Sequence, residues 1–183
     1  MPDREPAVAR TGLSASGGPC PDFLICRRDR YLLEHSPSCR VPGYLLITPL
    51  GGVRTLGDLA PPARQELAEA LQAASLAIHL VIAPARVLCL HFGDGTAPLR
   101  FHLFPRTAQV AGEFLKAFPD HPDRLHHPFL LHWARVHYRA PAGLVWSAVG
   151  PYLPSLRATF LLAAGAGQAR WGGPAGALAR RDW

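Results

Sequence analysis

One long helical segment, residues 61–82, separates two groups of short strand-forming segments in this chain. Pro61 and Pro62 suit the first turn of a helix, Asp58 is placed to be its N-cap, and Pro84 ends the pattern. The apolar residues on one side of this segment are Leu67, Ala70, Leu71, Ala74, Ile78, Val81 and Ile82. Because they recur at helical spacing, we expect an amphipathic helix over 61–82.

Short apolar or alternating segments on both sides of this helix predict strands. They cover residues 23–26, 31–36, 43–48, 87–92 and 99–104. The third is bounded by Pro42 and Pro49, as strand ends often are. Between the last two, Asp94-Gly95 is a typical hairpin signal, so we expect these strands to pair antiparallel.

The ends of the chain differ in composition from its middle. Residues 1–19 are rich in Pro, Gly, Ser and Ala and are predicted to be a disordered leader. A domain is expected over 20–107, followed by a helical C-terminal extension of two or three short helices over 108–164. Residues 165–183 resemble the leader in composition and are predicted to be a flexible tail.

The net charge of +6 favours an anionic partner such as a phosphate group. The cations are nearly all arginine, Lys116 being the only lysine, and no dense basic run is interleaved with aromatic residues. Binding to nucleic acid is therefore not expected. No apolar run is long enough for a membrane helix, and the leader lacks the apolar core of a secretory signal, so we expect a cytoplasmic protein.

Cysteine and histidine spacing does not predict a metal site. The cysteines Cys20, Cys26, Cys39 and Cys89 form no CxxC pair and are expected to be reduced thiols, with zinc bound by the first three as the weaker alternative. The C-terminal histidines, for which packing is expected, are His121, His126, His127, His132 and His137. They lack an HExxH pattern, and we expect neither metal nor cofactor.

Residues 98–106, PLRFHLFPR, resemble the last strand of the histidine-triad (HIT) motif, His-φ-His-φ-His-φ-φ, which many members follow with Pro-Arg. Upstream, residues 32–71 and 86–97 are similar to the family's run of strands, Pro-Gly turn, long helix and Gly-containing loop. The resemblance covers roughly residues 20–107. It implies an α+β fold in which a long helix packs on an antiparallel sheet of about five strands, a nucleotide ligand and a homodimer.

The resemblance places the triad positions of this chain at Pro98, Arg100 and His102. In the family, the middle histidine attacks the α-phosphorus of a nucleotide and forms a nucleotidyl-histidine, which is nucleophilic catalysis by a neutral imidazole. Arg100 cannot do this, because a guanidinium stays protonated and has no lone pair to donate. His102 is the remaining candidate for a catalytic role.

Further departures from the family pattern fall at Tyr44 and Gly52, where histidine is common, and at Ser36, which aligns with an acidic residue that holds the nucleotide ribose. Together with Pro98 and Arg100 they indicate that the transfer chemistry has been lost. An anion site is still expected. The residues expected to bind the ligand are Arg100, His102, Ser36 and His91, with Gly93, Gly95 and Thr96 in a loop of accessible backbone N–H groups.

Three functions remain open from the sequence. The first is binding of a nucleotide or other phosphorylated small molecule without turnover. The second is an active hydrolase or nucleotidyl transferase that uses His102 or His91 as a substitute nucleophile, or a water positioned by Arg100. The third is an interaction module whose pocket is filled by Tyr44 or Phe104.

Overall fold

The computed structural model describes residues 22–92, 97–120 and 126–171, with side chains as far as residue 165. The strands are β1 (Leu24–Arg27), β2 (Tyr31–His35), β3 (Leu45–Pro49), β4 (Arg86–His91) and β5 (Phe101–Arg106). The helices are α1 (Pro61–Ile82), α2 (Ala108–Ala117), α3 (His127–His137), α4 (Ala142–Val149) and α5 (Leu153–Trp171). The strands form one antiparallel sheet in the order β1-β2-β3-β5-β4. This confirms the α+β class and the five strands expected from the sequence.

The sheet register assigns every side chain to one of two faces, because successive residues of a strand point to opposite sides. Glu34 pairs with Leu46, Leu46 with His102, and His102 with Leu90, so these four side chains form a row on one face. Their neighbours in sequence point to the other face. We call the face of this row the second face, and the face covered by α1 the first face.

The first face carries the main core. Leu33, Ile47 and Leu103 are buried against α1, which contributes Leu67, Ala74 and Ile78 among others. Helices α4 and α5 belong to the same core through Val145, Val149, Leu153, Leu156 and Phe160. The core therefore combines the strands with the C-terminal helices.

Gly43 explains the Pro-Gly turn before β3. Its φ angle is +77°, a left-handed conformation that favours glycine. A Cβ atom at this position would lie 2.6 Å from Cγ1 of Ile82, at the end of α1. The turn thus depends on glycine both for its backbone angle and for its close approach to the helix.

One half of the second face is covered by α2 and α3. Their buried residues Phe114, Leu130, Leu131 and Ala134 pack with the sheet side chains Tyr44, Leu46, Leu88 and Phe104 in a second hydrophobic cluster. Thr107 caps α2 by accepting a hydrogen bond from the backbone N–H of Val110 at 3.2 Å. The other half of this face carries no such cover among the described residues.

Some local expectations were wrong. Helix α1 has the predicted bounds, but its N-cap is Ala60, since Asp58 accepts a hydrogen bond from the backbone N–H of Thr55 within a short 3-10 turn instead. Four helices follow β5 where two or three were expected, and α5 continues to Trp171, past the predicted boundary at 164. None of the described helices is both long and apolar enough to span a membrane.

Candidate functional site

The uncovered part of the second face carries four polar side chains. They are Glu34 on β2, Thr48 on β3, His102 on β5, and Arg100, which immediately precedes β5. We call this region the open half. Alternation along β5 places Arg100 on the same face as His102. A hydrogen bond from Nε of Arg100 to Oγ1 of Thr48, 3.2 Å long, confirms the placement.

His102 forms the inner wall of the open half and is only 7% exposed. Its Nδ1 lies 2.7 Å from the hydroxyl of Tyr44, and the ring of Phe92 meets it edge-on at a centroid distance of 5.4 Å. Burial, together with the smaller effect of the nearby cations Arg135 and Arg100, lowers the pKa of His102 to about 4. The imidazole is therefore neutral near pH 7.

Tyr44 determines which hydrogen bonds His102 can form. Burial raises the pKa of the Tyr44 phenol well above its ordinary value, so the hydroxyl keeps its proton. When this hydroxyl donates to Nδ1 of His102, the ring proton is on Nε2, which then acts as a donor without a lone pair. In this tautomer His102 can bind an anion but cannot attack phosphorus.

Arg100 is exposed, and one edge of its guanidinium is held by Thr48. Its two Nη atoms carry the other four N–H donors, in the planar geometry that matches two oxygens of a phosphate. Within the described residues, no carboxylate lies within ion-pair distance of this guanidinium. Arg100 can therefore bind an anion without first breaking a salt bridge to any of the residues that the structure describes.

Glu34 is a site residue that the sequence reasoning missed. It lies on β2, half-buried on the same face as Arg100. Burial raises the pKa of its carboxyl, and the charge of Arg100 opposes this shift. The predicted acceptor was Ser36, two residues later on the same face, but Ser36 is buried, and its backbone N–H donates to the carbonyl of Tyr44. Side chains alternate between the two faces along β2, and this alternation in the segment LLEHS, residues 32–36, could have identified Glu34.

The structure does not bring His91 into the open half. His91 pairs with Phe101 and points to the first face, where its ring packs on that of Phe101. Its Nδ1 lies 3.1 Å from the carbonyl oxygen of Arg100. The other predicted ligand-binding residues, Gly93, Gly95 and Thr96, lie outside the described residues.

The other positions at which the sequence departs from the resembled pattern do not obstruct the open half. Pro98 is exposed in the extended segment before β5, and Gly52 is exposed in the loop after β3 with a φ angle of +71°. Tyr44 and Phe104 are buried beneath α2 and α3, so they fill the covered half of the face only. No group of three or more potential metal ligands occurs among the residues that the structure describes.

Comparison with solved structures gives the class of this fold. A HIT-like protein involved in cell-cycle regulation from Bartonella henselae matches with a TM-score of 0.50 and 16% identity, over 76% of this chain and 87% of that chain. A histidine triad protein from Marinobacter aquaeolei VT8 matches with a TM-score of 0.50 and 12% identity, over 80% and 90%. No protein-family model matches the sequence, and comparison with curated proteins gives no match.

At these identities the likeness shows the fold. The chain has the HIT-like α+β fold, as the order of its motifs predicted.

Proposed function

We propose that this protein binds a phosphorylated small molecule, such as a nucleotide, on the open half and does not form a nucleotidyl-histidine. The observation that carries the proposal is the exposed guanidinium of Arg100, fixed by Thr48 beside the neutral imidazole of His102. A guanidinium group and a neutral N–H donor on one face of the sheet are well suited to bind phosphate oxygens. Glu34 supplies an acceptor for a ligand hydroxyl on the same face.

The site chemistry favours binding over turnover. Arg100 occupies the position that the resemblance assigns to the nucleophile, and it cannot act as one. His102 is buried, weakly basic and bonded to Tyr44, so it is a poor substitute. His91 pairs with Phe101 and faces the other side of the sheet from Arg100, which argues against it as the substitute nucleophile.

Calorimetry with AMP, ADP and a dinucleoside polyphosphate tests this proposal. We expect wild-type protein to bind at least one of them, and Arg100→Gln to weaken binding by about tenfold or more, since a charge-assisted pair is lost. Arg64→Gln, which makes the same charge change on an exposed residue of α1, is the matched control. Absence of binding at millimolar ligand would refute the proposal. A covalent nucleotide adduct on His102 in intact-mass spectra would favour the enzyme instead.

We further propose that the protein is a homodimer that pairs through the edge strand β4. A groove of about 470 Å³ runs along β4 beside His79 of α1. Leu76 and Leu80 share this side of α1 and are 46% and 66% exposed. An unpaired strand flanked by exposed leucines favours association with another strand. Light scattering after Leu80→Glu should show a monomer, whereas Leu162→Glu, which is 76% exposed on α5, should leave the dimer intact.

We also propose that the protein works in a reducing compartment such as the cytoplasm. Of the cysteines that the structure describes, Cys26, Cys39 and Cys89 are free thiols.

A further inference from the structure

Helix α3 is held firmly beside the open half. Leu130, Leu131 and Ala134 bury one side of it against the covered half of the second face. The thiol of Cys39 donates to the carbonyl of Ala134 at 3.9 Å, and the backbone N–H of Arg40 donates to the carbonyl of Tyr138 at 3.0 Å. The loop before β3 thus fixes the C-terminal half of α3 close to Tyr44.

The two flanks of α3 have different neighbours. On one flank, the ring of Trp133 packs on Phe114 of α2 at 5.5 Å, and His137 lies 3.4 Å from the carboxylate of Glu113. Arg135 lies on the opposite flank, one helical turn after the buried Leu131. Helical geometry therefore directs Arg135 away from α2 and towards the open half.

The electrostatics of the neighbouring groups agree with this placement. Among the charges that lower the pKa of His102, Arg135 is the largest, ahead of Arg100. The charge of Arg135 also opposes the rise that burial causes in the pKa of Tyr44 and of Cys39. The guanidinium is exposed, and no carboxylate among the described residues forms an ion pair with it.

We propose that Arg135 is a second phosphate-binding residue, so that the site prefers a dianionic phosphomonoester to a phosphodiester. This inference rests on the proposed function of the open half. Arg100, the residue before β5, and Arg135 on α3 belong to two different elements, and the charges of both act on His102. A terminal phosphate with two negative charges can pair with both guanidinium groups and accept a hydrogen bond from His102. A phosphodiester has a single charge shared by two unsubstituted oxygens, so its attraction to the two guanidinium groups is weaker.

The test compares inorganic phosphate and AMP with dimethyl phosphate and 3′,5′-cyclic AMP by calorimetry at pH 7.5, where phosphomonoesters are dianions. We expect wild-type protein to bind the monoester about tenfold more tightly than the matching diester, in line with one additional charge-assisted pair. Arg135→Gln should remove this preference and Arg135→Lys should retain part of it. Arg139→Gln, the same charge change just after α3, should leave the preference unchanged.

The outcomes separate the inference from the function on which it rests. If Arg135→Gln keeps the wild-type preference for AMP over cyclic AMP while Arg100→Gln loses binding, the role of Arg135 is refuted and the phosphate site stands. If wild-type protein binds none of the four compounds at millimolar concentration, the role of Arg135 is refuted, and the phosphate site is refuted as well when ADP and the dinucleoside polyphosphate also fail to bind. A second readout is the pH profile: wild-type preference for AMP should increase as the pH rises through about 6, and that of Arg135→Gln should stay flat.

Discussion

Acidification from pH 7 to pH 5 should destabilise this protein, because the folded chain buries two neutral histidines. His102 is 7% exposed and His35 is fully buried. Burial lowers the pKa of each to about 4, against an ordinary value of about 6.5 in an unfolded chain. Each ring nitrogen of His35 lies close to a backbone carbonyl, Nδ1 at 2.9 Å from Ser36 and Nε2 at 3.0 Å from Val41. A neutral ring can donate to only one of these carbonyls, so the two contacts favour the protonated ring and oppose the larger effect of burial.

The sign of the effect follows from proton uptake. Between pH 6.5 and about 4, the unfolded chain binds protons at both histidines and the folded chain does not, so the free energy of unfolding falls as the pH falls. From pH 7 to pH 5, each histidine should remove about 2 kcal/mol, or about 4 kcal/mol together. Glu34 acts in the opposite direction, since its raised carboxyl pKa favours the folded state on acidification. The carboxyl of Glu113 has a lowered pKa, so its contribution to the free energy of unfolding is lost only below about pH 5.

Urea unfolding at pH 7, 6 and 5 measures this effect. His102→Gln and His35→Gln should each reduce the loss of stability between pH 7 and pH 5 by about half, whatever they do to stability at pH 7. His132→Gln, on the exposed side of α3, should leave the pH dependence unchanged. Two results would show that these imidazoles do not stay neutral when buried. One is a fall of less than about 1 kcal/mol in the free energy of unfolding of wild-type protein between pH 7 and pH 5, and the other is an unchanged fall in a variant that carries both substitutions.

Three further outcomes follow from local geometry. Gly43→Ala should lower the free energy of unfolding by about 2 kcal/mol or more in urea melts, because the new Cβ meets Ile82 at a left-handed φ angle. Arg157→Gln should cost about 1 kcal/mol in the same assay, since three hydrogen bonds from a partly exposed guanidinium to β1 and the residues before it are lost. Arg100→His with Pro98→His should not yield a covalent AMP adduct by mass spectrometry, because the phosphate loses one of its two guanidinium partners; a clear adduct would show an otherwise intact transfer site.

Much of the fold was predictable from the sequence, because its elements depend on local patterns. Residues 61–82 have one apolar side and begin with two prolines, and α1 has these bounds. The strands were predicted to within one or two residues, since alternation and the flanking prolines and glycines are local signals. The N-cap of α1 was predicted wrongly. Asp58 is a residue type that often caps helices, but its carboxylate bonds to Thr55 in the preceding 3-10 turn, and such a turn has no strong sequence pattern.

The candidate site was predictable only in part. Arg100 and His102 were identified because they lie on one strand, where spacing determines the face. Arg135 could not be identified in the same way, because it reaches the open half only through the docking of α3 on a distant strand. The burial of Ser36 and the outward position of Glu34 likewise depend on how α2 and α3 cover the second face. Contacts between elements far apart in sequence leave no periodic signal.

The burial that weakens His102 as a nucleophile also makes the open half a better anion site. A protonated imidazole would be a third cation beside Arg100 and Arg135, and its burial next to Tyr44 makes that state costly. When the Tyr44 hydroxyl donates to Nδ1, a neutral His102 instead offers the N–H of Nε2 as a donor to the ligand. The positive charge then comes from guanidinium groups, which no accessible pH removes. Because these features reinforce one another, an arginine at position 100 fits the site that we propose, one that binds phosphate without forming a nucleotidyl-histidine.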